Sequence, residues 1–200
     1  PIHEPVGNMI VDIGGGTTDI AVIALSGVVR AKSLKVAGDK LTEDIIAYMR
    51  DEFKMLIGEK TGEHIKMTIG SALPGEEGEE LSIKGRDLVT GLPREAVITD
   101  TDIRDAMYSS IAQLVEAIRE VLETTPPEVL SDIMQKGMTL AGGGALIKHL
   151  PQLLEMQLKV PVTVADDPLT AVARGTGIIL EDIDIYKDVL VENTDDISFR

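Results

Sequence analysis

The sequence predicts an α/β domain in which a mixed sheet carries helices on its faces and is interrupted by a small inserted α+β subdomain. Three observations lead there. β-branched apolar runs joined by tight turns open the chain, strand and helix signals then alternate almost to its end, and residues 38–100 hold helices and polar-faced strands of their own within that pattern.

The first strands are Met9 to Ile13 and Asp19 to Leu25, separated by Gly14-Gly15-Gly16-Thr17-Thr18, which reads as a hairpin; a third runs from Val28 to Val36. A helix opened by Gly38-Asp39 follows. Its apolar stripe is Leu41, Ile45, Met49 and Phe53, and Gly58 is placed to end it in a left-handed C-cap. A shorter helix from Thr61 to about Ser71 buries Ile65 and Ile69. Turn chemistry at Pro74 to Gly78 then leads to two strands of a small sheet, Leu81 to Lys84 and Ala96 to Thr99.

Thr99 with Asp102 resembles a capping box, and Ile103, Met107, Ile111, Leu114, Ile118 and Val121 carry the longest helix to the break at Pro126-Pro127. Pro127 to Lys136 is another helix and Met138 to Ala141 a buried strand. Gly142-Gly143-Gly144 leads into a helix from near Ala145 with Leu146, Leu150 and Leu154 on its apolar side, and Val160 to Ala165 is a further strand. Asp166-Asp167-Pro168 reads as the cap of a last helix rather than as a carboxylate pair for catalysis. Gly175 and Gly177 inside that helix each cost about 1 kcal/mol relative to Ala, which asks for a packing reason such as the close approach of another helix. The tail from Tyr186 is acidic and without periodicity.

Composition narrows the function. The 200 residues are enough for one domain or two small ones, burying roughly 70% of the unfolded surface without disulfide or metal. With 34 acidic against 19 basic residues the net charge is −15, the wrong sign for binding nucleic acid through its phosphates. An apolar content of 44% is too high for disorder, and runs such as Ile20 to Leu25 fall far short of the roughly 20 residues of a membrane span, which predicts a soluble globular protein. Absence of cysteine excludes thiolate catalysis and Cys-based metal sites, and fits a reducing cytosol. His3, His64 and His149 are too scattered to suggest a metal site, and Met49 and Met107 read as core.

The sharpest chemical feature is Asp12-Ile13-Gly14-Gly15-Gly16-Thr17-Thr18-Asp19. Three glycines between two strands bring backbone N–H groups up to an anion unobstructed by Cβ atoms, Thr17 and Thr18 add hydroxyls, and Asp12 is placed to hold Mg²⁺ through water. Taken alone, the loop reads equally as a hairpin with no ligand. Gly142-Gly143-Gly144, between a strand and a helix, is a second loop of the same kind, and two of them in one α/β domain favour two edges of one nucleotide site. Glu63 and Lys66, three apart on the side of the short helix taken to be exposed, either reach one polar ligand such as a ribose or form an ordinary surface pair. A dinucleotide fingerprint and a G-x-x-x-x-G-K-[ST] loop are both absent.

These residues resemble a known family. Asp12 to Asp19 is similar to the second phosphate loop of the actin and Hsp70-like ATPases, with their ribonuclease H-like fold, Leu140 to Leu146 to their adenosine loop, and Gly175-Thr176-Gly177 to their second connecting helix. Ser33 to Asp39, Leu56 to Thr61, Ile69 to Ala72, Gly85 to Pro93 and Thr124 to Glu128 resemble more closely the MreB family of bacterial actins. The resemblance implies ATP or ADP with Mg²⁺, with Gly14, Gly15, Gly16 and Thr17 at the outer phosphates. It places Gly62, Glu63, His64, Ile65 and Lys66 at the ribose and adenine, and Gly142, Gly143, Gly144 and Ala145 at the nucleoside and inner phosphate. Homopolymer filaments, partner membrane proteins of wall synthesis, and a place at the inner face of the cell membrane follow from the same resemblance.

One departure qualifies it. The family's first phosphate loop, of the form D-x-G-T-x-x-T, and its catalytic Glu on a connecting helix are not in this sequence. The expectation is therefore the second half of such a molecule. Residues 1–37 and 101–170 would form subdomain IIA, 38–100 the inserted subdomain IIB, and 171–200 a helix belonging to domain I with an acidic tail. Such a chain supplies one wall of the cleft, hydrolyses ATP negligibly by itself, and meets the membrane only through the missing domain I. Rival expectations are half of an Hsp70-type chaperone ATPase or of an actin-fold kinase.

Overall fold

Asp12 pairs with Asp19 and Ile13 with Thr18 at the tight end of an antiparallel hairpin, and the fold grows outward from it. The computed structural model describes residues 6–24 and 27–184; His3, Leu25 and the acidic tail from Tyr186 lie outside the described residues. Strands β1 (Asn8–Ile13), β2 (Thr18–Ala24) and β3 (Gly27–Leu34) form an antiparallel meander. On the other side of β1, β7 (Met138–Ala141) and β8 (Val162–Val164) run parallel to it, so one five-stranded sheet has the order β3-β2-β1-β7-β8. The parallel pairs need crossovers, and the chain between β1 and β7 supplies the helices that cover the sheet.

Alternation along the strands decides the faces. Met9, Val11, Ile13, Ile20, Val22, Met138 and Leu140 are fully buried, whereas Asn8, Ile10 and Asp12 point to the less covered side. Helix α3 (Asp100–Thr124) is the central strut, packing on β2, β3, α1 (Gly38–Asp51), α2 (Glu59–Ile69) and α5 (Leu150–Leu158) through Ile103, Met107, Ile111, Leu114 and Ile118. Its capping box is complete: Asp102 N–H donates to Thr99 Oγ1 and Thr99 N–H to Asp102 Oδ2. Helix α4 (Pro127–Lys136) begins at the proline pair and packs on β1.

Helices α1 (Gly38–Asp51) and α2 (Glu59–Ile69) cross closely at Gly62, where a Cβ would stand 2.9 Å from Ile46 Cγ1. A second, three-stranded antiparallel sheet of β4 (Met55–Leu56), β5 (Glu80–Asp87) and β6 (Pro93–Thr99) accompanies them.

Several boundaries differ from the sequence expectation. α1 stops at Asp51, because Lys54 turns left-handed and Met55-Leu56 pair with β5, so Gly58 starts α2 instead of ending α1. No α-helix begins near Ala145. A short 3₁₀ turn, Gly143–Leu146, is followed by α5 (Leu150–Leu158), since Pro151 has no N–H for a continuous helix and its ring would clash with the preceding turn. Leu146 is accordingly exposed. The N-cap of α6 (Ala171–Glu181) is Thr170, whose hydroxyl donates to Asp167 Oδ2 at 2.5 Å; Asp166-Asp167-Pro168 forms the preceding turn.

Candidate functional site

The two glycine loops leave the carboxyl ends of adjacent parallel strands, β1 and β7, which is where open α/β sheets bind ligands. Gly14 N–H donates to Thr17 O at 2.9 Å and closes the first loop. Helix α1 then grips it from outside: Gly38 N–H donates to Gly14 O at 3.0 Å and Asp39 N–H to Gly15 O at 2.9 Å. The loop carbonyls are thereby engaged with α1. The amides of Gly15 and Gly16 donate to no protein acceptor among the described residues, as an anion-binding loop requires. Ala37, not Gly38-Asp39, is the N-cap of α1, and its side chain makes no cap bond; the Asp39 carboxylate lies instead within 3.4 Å of where a Cβ on Gly15 would stand.

The second loop locks onto the first. Gly142 has φ +78 and donates to Pro168 O at 2.9 Å, and a Cβ on Gly144 would stand 2.7 Å from Ile13 Cβ. Only glycine lets these two backbones meet so closely.

Between the loops and α2 opens a cavity of about 440 Å³, within the range of small-molecule sites. Gly14 and Gly15 form one side, Gly143 and Gly144 a second, and Glu63 and Lys66 a third. Sequence reasoning missed as site residues Gly38, Asp39, Met67, Gly70, Leu146, Ile147 and Leu169, which complete the lining. Exposed Met67, Leu146 and Leu169 give it an apolar rim suited to a flat ring system. The remaining candidates stand apart from that lining. Gly16 and Thr17 are at the exposed loop tip, where Thr17 Oγ1 donates to Asp19 Oδ2 at 3.1 Å. Gly142, Ala145 and Asp12 are outside the lining: Gly142 packs its backbone on Ile13 and Asp12, and Ala145 is buried. Gly62 serves the α1–α2 crossing, His64 is exposed, and Ile65 is a core residue with no surface to offer a ligand.

Residues 1–188 match the family model described as MreB/Mbl protein. The chain belongs to the MreB/Mbl family. It is 49% identical over 183 residues to the cell shape-determining protein Mbl of Bacillus subtilis (strain 168), covering 92% of this chain and 55% of that protein. The structure of MreB5 of Spiroplasma citri bound to AMPPNP superposes with a TM-score of 0.89 at 40% identity, covering 94% of this chain and 56% of that one. A double helical filament of MamK gives a TM-score of 0.73 at 25% identity over 87% of this chain and 54% of that one. The fold is actin-like, and the chaperone and kinase readings are not favoured. This MreB/Mbl chain spans about half the length of the curated relatives it matches.

The electrostatics of the MreB/Mbl site set burial against hydrogen bonding. Asp12 faces Asp19 across the hairpin; burial first, and then the Asp19 charge, push its carboxyl above the ordinary value. Burial also acts to raise Glu63, but hydrogen bonds from Lys66 and Thr42 outweigh it and leave that carboxyl below its ordinary value. Glu63 and Lys66 are not a pair on an exposed helix side: the Lys66 side chain is only 10% exposed and its Nζ donates to Glu63 Oε2, Gly38 O and Thr42 Oγ1 at 2.6, 2.8 and 3.0 Å. No cluster of three or more potential metal ligands exists among the described residues, so a divalent cation here would need oxygens from a bound phosphate and water. Asp12 is outside the cavity lining, so it would meet such a cation only through water, and the cation's charge would relieve the Asp12–Asp19 repulsion.

Proposed function

We propose that this chain is one wall of the nucleotide cleft of a bacterial actin-like protein that binds ATP or ADP with Mg²⁺, forms homopolymer filaments and organises cell-wall synthesis and rod shape. The observation that carries the reading is the meeting of two glycine loops at the ends of β1 and β7, across a cavity from Glu63 and Lys66, in a member of the MreB/Mbl family. Free amides at Gly15 and Gly16 would receive the outer phosphates, with Thr17 beside them, and Asp12 would hold Mg²⁺ through water. Gly142 to Ala145 would form the nucleoside side, and the polar face of α2 the ribose side.

The relatives are longer than the matched segment, and the second wall with its hydrolytic machinery belongs to that remainder. In this reading residues 1–37 with 101–170 are subdomain IIA, 38–100 are IIB, and 171–200 hold α6, which belongs to and packs with the other half, followed by the acidic tail. Filament formation is supported by the MamK filament, and a role in cell shape by the relative named for it. No helix among the described residues is long and apolar enough to cross a membrane. A place under the cytoplasmic membrane would rest on contacts by the other half and by membrane proteins of wall synthesis.

Amide NMR of the 200-residue chain, titrated with ADP and Mg²⁺, tests this. Millimolar ligand is expected to shift Gly14 to Thr17 and Gly142 to Ala145. Absence of shifts there would overturn the site, and sub-micromolar affinity or ATP turnover above background would overturn the one-wall reading.

A further inference from the structure

Glu63 has two carboxylate oxygens in different situations. Oε2 is tied down twice, accepting from Lys66 Nζ at 2.6 Å and from Thr42 Oγ1 at 2.7 Å. Oε1 has no protein partner among the described residues, and the side chain, 46% exposed, borders the cavity. A carboxylate fixed through one oxygen and free at the other is a directed acceptor for a hydroxyl.

Thr42 completes that fixation from within the protein. It sits one turn into α1, 3% exposed and outside the cavity lining. Its single hydroxyl proton has two possible acceptors, Glu63 Oε2 at 2.7 Å and Gly38 O at 3.1 Å, and the shorter, charged one is the stronger. The same oxygen accepts from Lys66 at 3.0 Å, so Lys66, Glu63 and Thr42 close a triangle in which every bond supports the other two. Gly62 makes the triangle possible: a Cβ there would stand 3.1 Å from Thr42 Cγ2 and hold α1 and α2 apart.

We propose that Thr42 is a positioning residue for sugar recognition: by holding Glu63 Oε2 it aims Oε1 at the vicinal hydroxyls of a ribonucleotide. The inference rests on the nucleotide reading above. It predicts that the energetic consequence of losing the Thr42 hydroxyl depends on whether the ligand has those hydroxyls, which a general loosening of the α1–α2 crossing would not produce.

The test compares ADP with 2′,3′-dideoxy-ADP, titrated with Mg²⁺ by NMR into the wild-type chain, T42V and T42S. Wild type is expected to favour ADP by about tenfold, the effect of one hydrogen bond to a charged group. T42V, which keeps the shape and loses the hydroxyl, is expected to bring the two ligands within about twofold, while T42S restores the preference. A T42V that weakens both ligands by one factor, or that keeps the wild-type ratio, overturns the proposal. Should T42V not fold, T42A removes the same hydroxyl at a helix position that alanine favours, and the same comparison applies. A wild-type chain that responds to neither ligand overturns the nucleotide reading itself, and this inference with it.

Discussion

The carboxylate of Asp12 lies directly behind Gly142: a Cβ built on Gly142 would stand 2.5 Å from Asp12 Oδ1. The end of β1 and the turn after β7 are therefore one interlocked unit. Gly142 also sits at φ +78, where L side chains are strained. G142A is expected to lower stability by about 2–4 kcal/mol, combining the left-handed conformation with overpacking. Urea unfolding of G142A beside G16A checks this. A Cβ on Gly16 meets nothing within 4 Å, so G16A should fall within about 0.5 kcal/mol of wild type.

The raised carboxyl of Asp12 makes a pH prediction of definite sign. Its ordinary value is 3.8, and in the fold burial and then Asp19 push it higher. A group that holds its proton more tightly when folded contributes stability below its unfolded value and loses that contribution as pH rises through the folded value. D12N is neutral at every pH. It is expected to equal or exceed wild type in stability at pH 7, and its advantage should shrink as pH falls toward 4. Urea midpoints across that range test it, and an advantage that grows on acidification would contradict the burial argument. Mg²⁺ with ADP should narrow the difference at pH 7 if Asp12 faces the cation.

Thr99 offers a stability test away from the site. It both accepts from Asp102 N–H and receives the Asp102 carboxylate on its own backbone N–H and hydroxyl, at the start of the helix that touches most of the core. T99A is expected to cost about 1–2 kcal/mol, and T99S much less, measured by thermal unfolding.

What was legible in the sequence follows from where periodicity is strong. β1, β2, β7 and α3 could be read from Met9, Val11 and Ile13, from Ile20 and Val22, and from the stripe Ile103 to Val121, because one buried face imposes a strict period. Both glycine loops were legible because three glycines in a row between apolar elements are costly without a reason. The rest depended on long-range pairing. β4 is two residues that exist as a strand only through Asp87 and Arg86, and no local pattern announces it. Pro151 was a signal available to stop the helix expected from Ala145. The spacing of Glu63 and Lys66 told which side of α2 they share, but not that the first turn of α1 covers it, which turned a surface pair into a half-buried network. Leu169, Met67 and Gly38 line one cavity from three distant stretches, so no window of sequence could group them.

Helix α6 gives the last prediction. None of its residues is buried, Val172, Ile178 and Leu180 are exposed, and a Cβ at Gly175 or Gly177 would meet nothing within 4 Å. The packing reason that two interior glycines ask for is therefore absent from the described residues. In this chain G175A and G177A should each favour the helix by about 1 kcal/mol, seen as a rise in helical circular dichroism. If α6 packs against the other half of the molecule, as proposed, the same methyl groups would stand in the way of that approach. Both substitutions, carried in a protein that includes the other half, should then reduce filament pelleting with ATP while leaving the chain's own fold intact. Pelleting equal to the glycine form would mean that neither glycine is needed for close packing, and would remove the reason for placing α6 there.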